Sequence, residues 1–351
     1  MNYSITNSNS NSPIFIVGTS RSGTTLLRNI LNKHSEVWIP DKETNYFADL
    51  RVKMAGFEQQ PLSLEQAKLC QDYFLALTHK GYDEGSDPEQ GWMNRKELQI
   101  LAESLGVGAD SYFEAFCQLC AQRNYKIRWG EKTPKHVFHI SEILTRYPQA
   151  QVVCTIRHPG GVISSFRDKW KRMNLDSSGL RNKNSYNLLI TSLIWRGSFK
   201  ATLEARKHFG SDHIYIQRFE DLLAEPESAI KALTAWLSLD YQPSMIEVSS
   251  SNSSYLDLVG KTGFSQKPMY HWREKLSEPE IAATQYFCGY LLKEAGYEPE
   301  PVPPSFGFIT WLWITSPLGL LRTIFANHRR ITNIPQYIWR RFRIALLQRH
   351  I

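Results

Sequence analysis

Residues 14–27 read Ile-Phe-Ile-Val-Gly-Thr-Ser-Arg-Ser-Gly-Thr-Thr-Leu-Leu, an apolar β-type run that breaks at Gly18, passes through small residues and reopens as a helical pattern at Thr25. No other stretch constrains the fold as strongly. In a strand–turn–helix of this kind, small residues let backbone N–H groups converge on an anion, and the positive end of the following helix adds to the attraction. The frame Gly18 to Gly23 has the spacing of a Walker A loop, but Thr24 and Thr25 follow where that pattern places Lys and Ser or Thr, and Arg21 sits inside the loop. A loop of this shape without its lysine is expected to hold an anionic nucleotide tail other than a magnesium triphosphate.

A second unit repeats the logic. The β-like run Gln151 to Ile156 ends on Arg157-His-Pro-Gly-Gly and leads into a helical pattern from Val162 to Trp170. Ahead of it, Pro134 to Tyr147 has the apolar spacing of a crossover helix, which a parallel neighbour strand requires. A third strand is predicted over His213 to Gln217 and a further helix over Pro226 to Leu237. The pattern predicts a P-loop-like three-layer α/β/α fold with a central parallel sheet. Segment 50–128 carries three helical patterns, Leu64 to Leu77, Arg95 to Leu105 and Ala109 to Arg123, and reads as a helical insertion placed to act as a substrate lid. Arg157 stands at the C-terminal end of a predicted parallel strand, where open α/β sheets bind ligands, and Ser165 follows two turns into the next helix. A guanidinium fork and a short hydroxyl in that arrangement suit a terminal phosphate.

Charge is distributed unevenly. The chain has 351 residues and a formal net charge of +7, yet residues 301–351 contain seven Arg and no Lys, Asp or Glu, so residues 1–300 are neutral overall. The basic balance belongs to the tail, and no nucleic-acid-binding face is expected on the core. From Phe306 to Leu321 the tail runs sixteen residues without a charge, interrupted by Pro317 and Gly319, before its arginines begin. That is short for a spanning helix and suits peripheral contact with a membrane, with a helical extension packed on the core as the alternative. Residues 1–12 read as a disordered arm without a secretory pattern, residues 13–300 as one domain, and residues 301–351 as a basic, apolar C-terminal helical extension. Five scattered cysteines fit a reducing, cytoplasmic setting. Cys117 and Cys120 lie in an apolar helical pattern without a second such pair, so core packing and no metal site are expected there.

The motifs VGTSRSGTTLLRNIL, PDKETNYF, GEKTPKH and TIRHPGGVISSF, in that order, resemble the sulfotransferases that use 3′-phosphoadenosine-5′-phosphosulfate (PAPS), the broad group that includes bacterial and protein-tyrosine sulfotransferases. The resemblance runs from residue 13 to about 240 and continues more loosely through Trp272-Arg-Glu-Lys-Leu-Ser to Gly296-Tyr297. It implies that Arg21, Ser22, Gly23, Thr24 and Thr25 hold the 5′-phosphosulfate, and that Arg157 and Ser165 hold the 3′-phosphate. It also implies that Glu43 is the general base, with Asp41 its nearest competitor, and that Arg21 and Lys132 steady charge as the sulfuryl group leaves. No metal is required by that scheme. Phe219 replaces the tyrosine usual in the family, and Lys261, Ser265 and Lys267 lie where relatives close a loop over the nucleotide. The implied reaction is sulfuryl transfer to a hydroxyl of a small-molecule, carbohydrate or lipid-linked acceptor. A divergent P-loop kinase or NTPase, and a non-catalytic membrane-associated nucleotide-binding protein, remain the alternatives.

Overall fold

The structure, a computed structural model, describes residues 12–80, 87–172, 186–248 and 263–326. Five parallel strands form one sheet in the order β2-β3-β1-β4-β5, with β1 at Ile14–Gly18, β2 at Val37–Trp38, β3 at Arg128–Lys132, β4 at Gln151–Ile156 and β5 at Ile214–Arg218. Alternation along β1 feeds two cores. Ile14 and Ile16 pack on one face with α1 (Thr24–Asn32) and, after the sheet, α8 (Pro226–Trp236). Phe15 and Val17 pack on the other with α2 (Leu64–His79), α3 (Arg95–Leu105), α4 (Ala109–Arg123) and α5 (Ile140–Arg146). Helices therefore cover both faces, and the fold is the P-loop-like α/β/α arrangement.

The helices of segment 50–128 fall where the apolar spacing places them, and α4 lies directly on the sheet face through Phe113 and Phe116. Two strands were not expected. β3 reads Arg-Trp-Gly-Glu-Lys, too charged for a sheet interior by composition, yet all five residues are buried. Its charges are met from elsewhere in the chain: the Arg128 guanidinium donates to the carbonyls of Ser12 and Leu237 at 2.7 and 2.6 Å and to the Gln151 side chain. Ser12 is thereby buried against the domain, and the rest of the segment read as an arm, residues 1–11, lies outside the described residues. Where one crossover helix was expected over Pro134 to Tyr147, a 3-10 turn at Pro134–His139 precedes the short α5.

After β4 comes α6 (Pro159–Arg167), which starts earlier than the apolar spacing suggests because the His158 ring nitrogen Nδ1 accepts from the Gly160 amide at 3.2 Å and caps it. The long α7 (Leu188–Phe209), α9 (Glu278–Cys288) and α10 (Phe306–Ala326) complete the side of the molecule next to α6. Ile309 and Leu312 of α10 join a buried cluster with Leu189, Leu193 and Phe287. All five cysteines are free thiols buried in the structure, and burial pushes each thiol up.

Candidate active site

The chain leaves β1 toward β2 on one side of the sheet and leaves β4 toward β5 on the other, so the loops after these neighbouring strands diverge and open a crevice at their C-terminal ends. The loop after β1 enters this crevice. Gly18 is required at its start, since a Cβ there would lie 2.2 Å from the Thr155 carbonyl oxygen. Arg21 holds a positive φ of 75°, and Gly23, at φ 88°, stands at the N-cap of α1 without a side-chain cap. Gly23 has no side chain to cap the first amides of α1, and no side chain among the described residues is seen to accept from Thr24 or Thr25. Ser22 adds a polar group to the same loop: its hydroxyl is buried and makes no hydrogen bond among the described residues.

The loop after β4 faces it. The Arg21 guanidinium donates through Nε to the Ser165 hydroxyl at 2.9 Å, and Arg157 Nη1 donates to the Arg21 carbonyl at 3.1 Å. Arg157 is itself fixed from three directions. Its Nη2 donates to the Pro268 carbonyl at 2.8 Å, its own carbonyl accepts from the Trp195 indole at 2.8 Å, and its guanidinium lies 4.5 Å from the centre of the Phe219 ring. Phe219, which in sequence reads only as a lost hydroxyl, is a platform under both the loop after β1 and Arg157, because a Cβ at Gly23 would meet its ring at 2.5 Å. The contact with Pro268 brings the segment after Gly263 to the same place. Ser265 accepts from the Lys267 amide at 3.3 Å, whereas Lys261 lies outside the described residues.

A second pair forms at the ends of β2 and β3. Lys132, the last residue of β3, places its ammonium 2.6 Å from Glu43 Oε1, and their side chains are 4% and 43% exposed. A buried cation thus meets a carboxylate open to solvent. The Glu43 carboxylate does not pair with the adjacent Lys42, and Asp41 is engaged elsewhere, 3.3 Å from Arg28 of α1. Five of the candidates form two groups at the C-terminal edge of the sheet: Arg21, Arg157 and Ser165 together, and Glu43 with Lys132. Among the described residues no group of three or more His, Cys, Asp or Glu is placed to hold a metal ion. Cys117 and Cys120 face the core.

A family model described as the sulfotransferase family matches residues 13–243. Carbohydrate sulfotransferase 1 of Danio rerio is 22% identical over 344 residues, spanning 83% of this chain and 79% of that protein. Among solved structures, the sulfotransferase domain from the curacin biosynthetic pathway has the same fold, with a TM-score of 0.50 at 18% identity over 83% of this chain and 99% of that domain.

Proposed function

The chain belongs to the sulfotransferase family, and from that premise we propose that it moves a sulfuryl group from PAPS to an acceptor hydroxyl by in-line displacement. The observation that carries the reading is the division of the crevice into two groups: a cationic cradle around an uncapped helix start, and an open carboxylate paired with a buried ammonium. PAPS supplies an activated sulfuryl group on a phosphate leaving group. Arg21, Ser22, Gly23, Thr24 and Thr25 hold its 5′ end, and the buried Ser22 hydroxyl and the uncapped amides of α1 fit that duty. Arg157 and Ser165 hold the 3′-phosphate.

Glu43 takes the proton of the acceptor hydroxyl as its oxygen bonds to sulfur and the sulfur–oxygen bond to the 5′-phosphate breaks, leaving adenosine 3′,5′-bisphosphate (PAP). Lys132 and Arg21 stabilise the charge that gathers on the leaving oxygen. A positioned base contributes about 10²–10⁴-fold in rate. Glu43→Gln is therefore expected to lower kcat for sulfuryl transfer from PAPS, read as PAP release, by that factor with KM for PAPS unchanged. A wild-type rate in this variant would remove Glu43 from the mechanism.

The acceptor in this reading is a carbohydrate or lipid-linked hydroxyl, in keeping with the carbohydrate sulfotransferase to which the chain is similar. Segment 50–128 borders Glu43, since the Tyr73 hydroxyl of α2 donates to the Thr44 carbonyl at 2.6 Å, and it forms the acceptor side of the crevice as a lid. The protein acts in the cytoplasm and touches the membrane surface through residues 301–351. In support, Trp311, Ile314, Leu318, Leu321 and Phe325 of α10 are exposed along one stripe, and the tail is rich in arginine without an acidic residue. No helix among the described residues is long and apolar enough to cross a membrane.

A further inference from the structure

Two adjacent residues of β3 grip two adjacent residues of the loop that follows β2. Lys132 meets Glu43, and the neighbouring Glu131 meets Thr44: Glu131 Oε1 accepts from the Thr44 hydroxyl at 2.9 Å and from the Thr44 amide at 3.3 Å. The Thr133 hydroxyl donates to the same oxygen and itself accepts from the Asn45 amide at 3.2 Å. On the other oxygen, Oε2, the His136 ring nitrogen Nδ1 lies 3.0 Å away. The Glu131 side chain is completely buried. Burial by itself would raise this carboxyl, but His136 and the hydroxyls of Thr133 and Thr44 outweigh it and hold the group below the ordinary carboxylate range. It is an anion without access to water.

A buried carboxylate is an unfavourable way to fill space, because desolvation is recovered only when every lone pair finds a donor, and an apolar side chain would pack there without that cost. What a charge adds is direction. Each of its donors is fixed in angle as well as distance: Thr44 and Thr133 adjoin Glu43 and Lys132 in sequence, and His136 lies in the turn just after β3. The loop is also held at its other end, where Arg28 Nη1 donates to the Asp41 carbonyl at 2.6 Å.

We infer that Glu131 is a positioning residue for sulfuryl transfer, tying the loop that bears Glu43 to the end of β3 so that Glu43 and Lys132 keep one mutual geometry. Glu131 acts through Thr44 and its own neighbour Lys132. The inference rests on the reading of Glu43 as the base, since it is the base that the tie would aim. A displacement of about 1 Å at a catalytic group is enough to cost on the order of 10²-fold in rate.

The test uses the full chain with Glu131→Gln and, as a milder cut, Thr44→Val, which removes one donor and leaves the carboxylate in place. Amide hydrogen exchange, PAP titration and PAP release from PAPS are measured on each. The expected result for Glu131→Gln is exchange at Thr44 to Tyr46 faster by roughly tenfold or more, a PAP affinity within about twofold of wild type, and kcat lower by about 10–100-fold with KM for PAPS unchanged. Thr44→Val gives the same pattern in weaker form. Unchanged exchange at residues 44–46 overturns the inference, and so does loss of PAP binding in step with a general loss of protection, which is the mark of a merely structural carboxylate. If the loop loosens and kcat falls in Glu131→Gln while Glu43→Gln keeps the wild-type rate, the tie stands and it is the assignment of the base that fails.

Discussion

His158 shows how one residue beside the site couples folding to pH. Its ring stacks on Trp272 at a centroid distance of 4.2 Å, and its Nδ1 must stay unprotonated to accept from the Gly160 amide. Burial, with Arg273, Arg157 and Arg218 nearby, lowers its pKa from 6.5 to about 3. The unfolded chain therefore takes up this proton first as pH falls. The stability involved is complete above pH 6.5 and is lost progressively as pH drops from 6.5 toward 3, at about 1.4 kcal/mol per pH unit. Urea unfolding at pH 7 and pH 5 is expected to differ by about 2 kcal/mol from this group. His158→Gln, which has an oxygen to cap α6 but no titrating ring, should flatten that dependence, and an undiminished slope in the variant would locate the titration elsewhere. At this same scale the positions of Arg21 and Arg157 at strand ends, and of Ser165 in the helix that follows, are legible in the sequence, whereas Glu43 and Lys132 come only from the resemblance, because β2 and β3 carry no local strand signal. Glu131 and Phe219 were legible in neither way. Their roles arise from contacts across 87 positions with Thr44, for Glu131, and from a ring meeting Gly23 and Arg157, for Phe219.

Among the elements, β4, α6 and the helices of segment 50–128 follow from periodicity, whereas β3 does not. A strand that reads Arg-Trp-Gly-Glu-Lys is stable in a sheet only because distant carbonyls, hydroxyls and an amide meet its charges, and no local pattern contains that information. The helix α10 presents the opposite case, an element apolar on both sides. Its stripe at Ile309, Leu312, Ser316 and Thr323 is buried, while the stripe at Ile314, Leu318 and Phe325 is 70%, 67% and 74% exposed. A helix that is apolar all round needs a second apolar partner. With anionic lipid as that partner, full-length protein should co-sediment with phosphatidylglycerol vesicles more strongly than with neutral phosphatidylcholine vesicles. Ile314→Glu combined with Leu318→Glu should weaken that binding by roughly tenfold or more, since a carboxylate must then enter the interface. Equal binding of the double variant would mean that the stripe faces something other than lipid.

Over the whole molecule, the sheet order β2-β3-β1-β4-β5 puts β1 and β4 side by side at the point where the chain turns to opposite flanks. The proposed nucleotide cradle lies at that junction, between the loops after these two strands, and the Glu43–Lys132 pair lies at the ends of β2 and β3, with β3 directly beside β1. In the proposed reading, donor and acceptor sides are thus set at different strand ends by the sheet order. The α/β class and the two strand-loop-helix units were readable beforehand, but the placement of β3 between β1 and β2 was not, and with it went the closeness of Lys132 to Glu43. The central claim is that this cradle takes a bisphosphate nucleotide without a metal. It is tested most directly by calorimetric titration of the purified protein with PAP and, separately, with ATP and magnesium, each repeated on Arg157→Ala. The account predicts that PAP binds without added metal, that it binds more tightly than ATP with magnesium, and that loss of Arg157 weakens it by about tenfold or more, the range for a charge-assisted contact. Preference for ATP with magnesium, or a PAP affinity indifferent to Arg157, would contradict it.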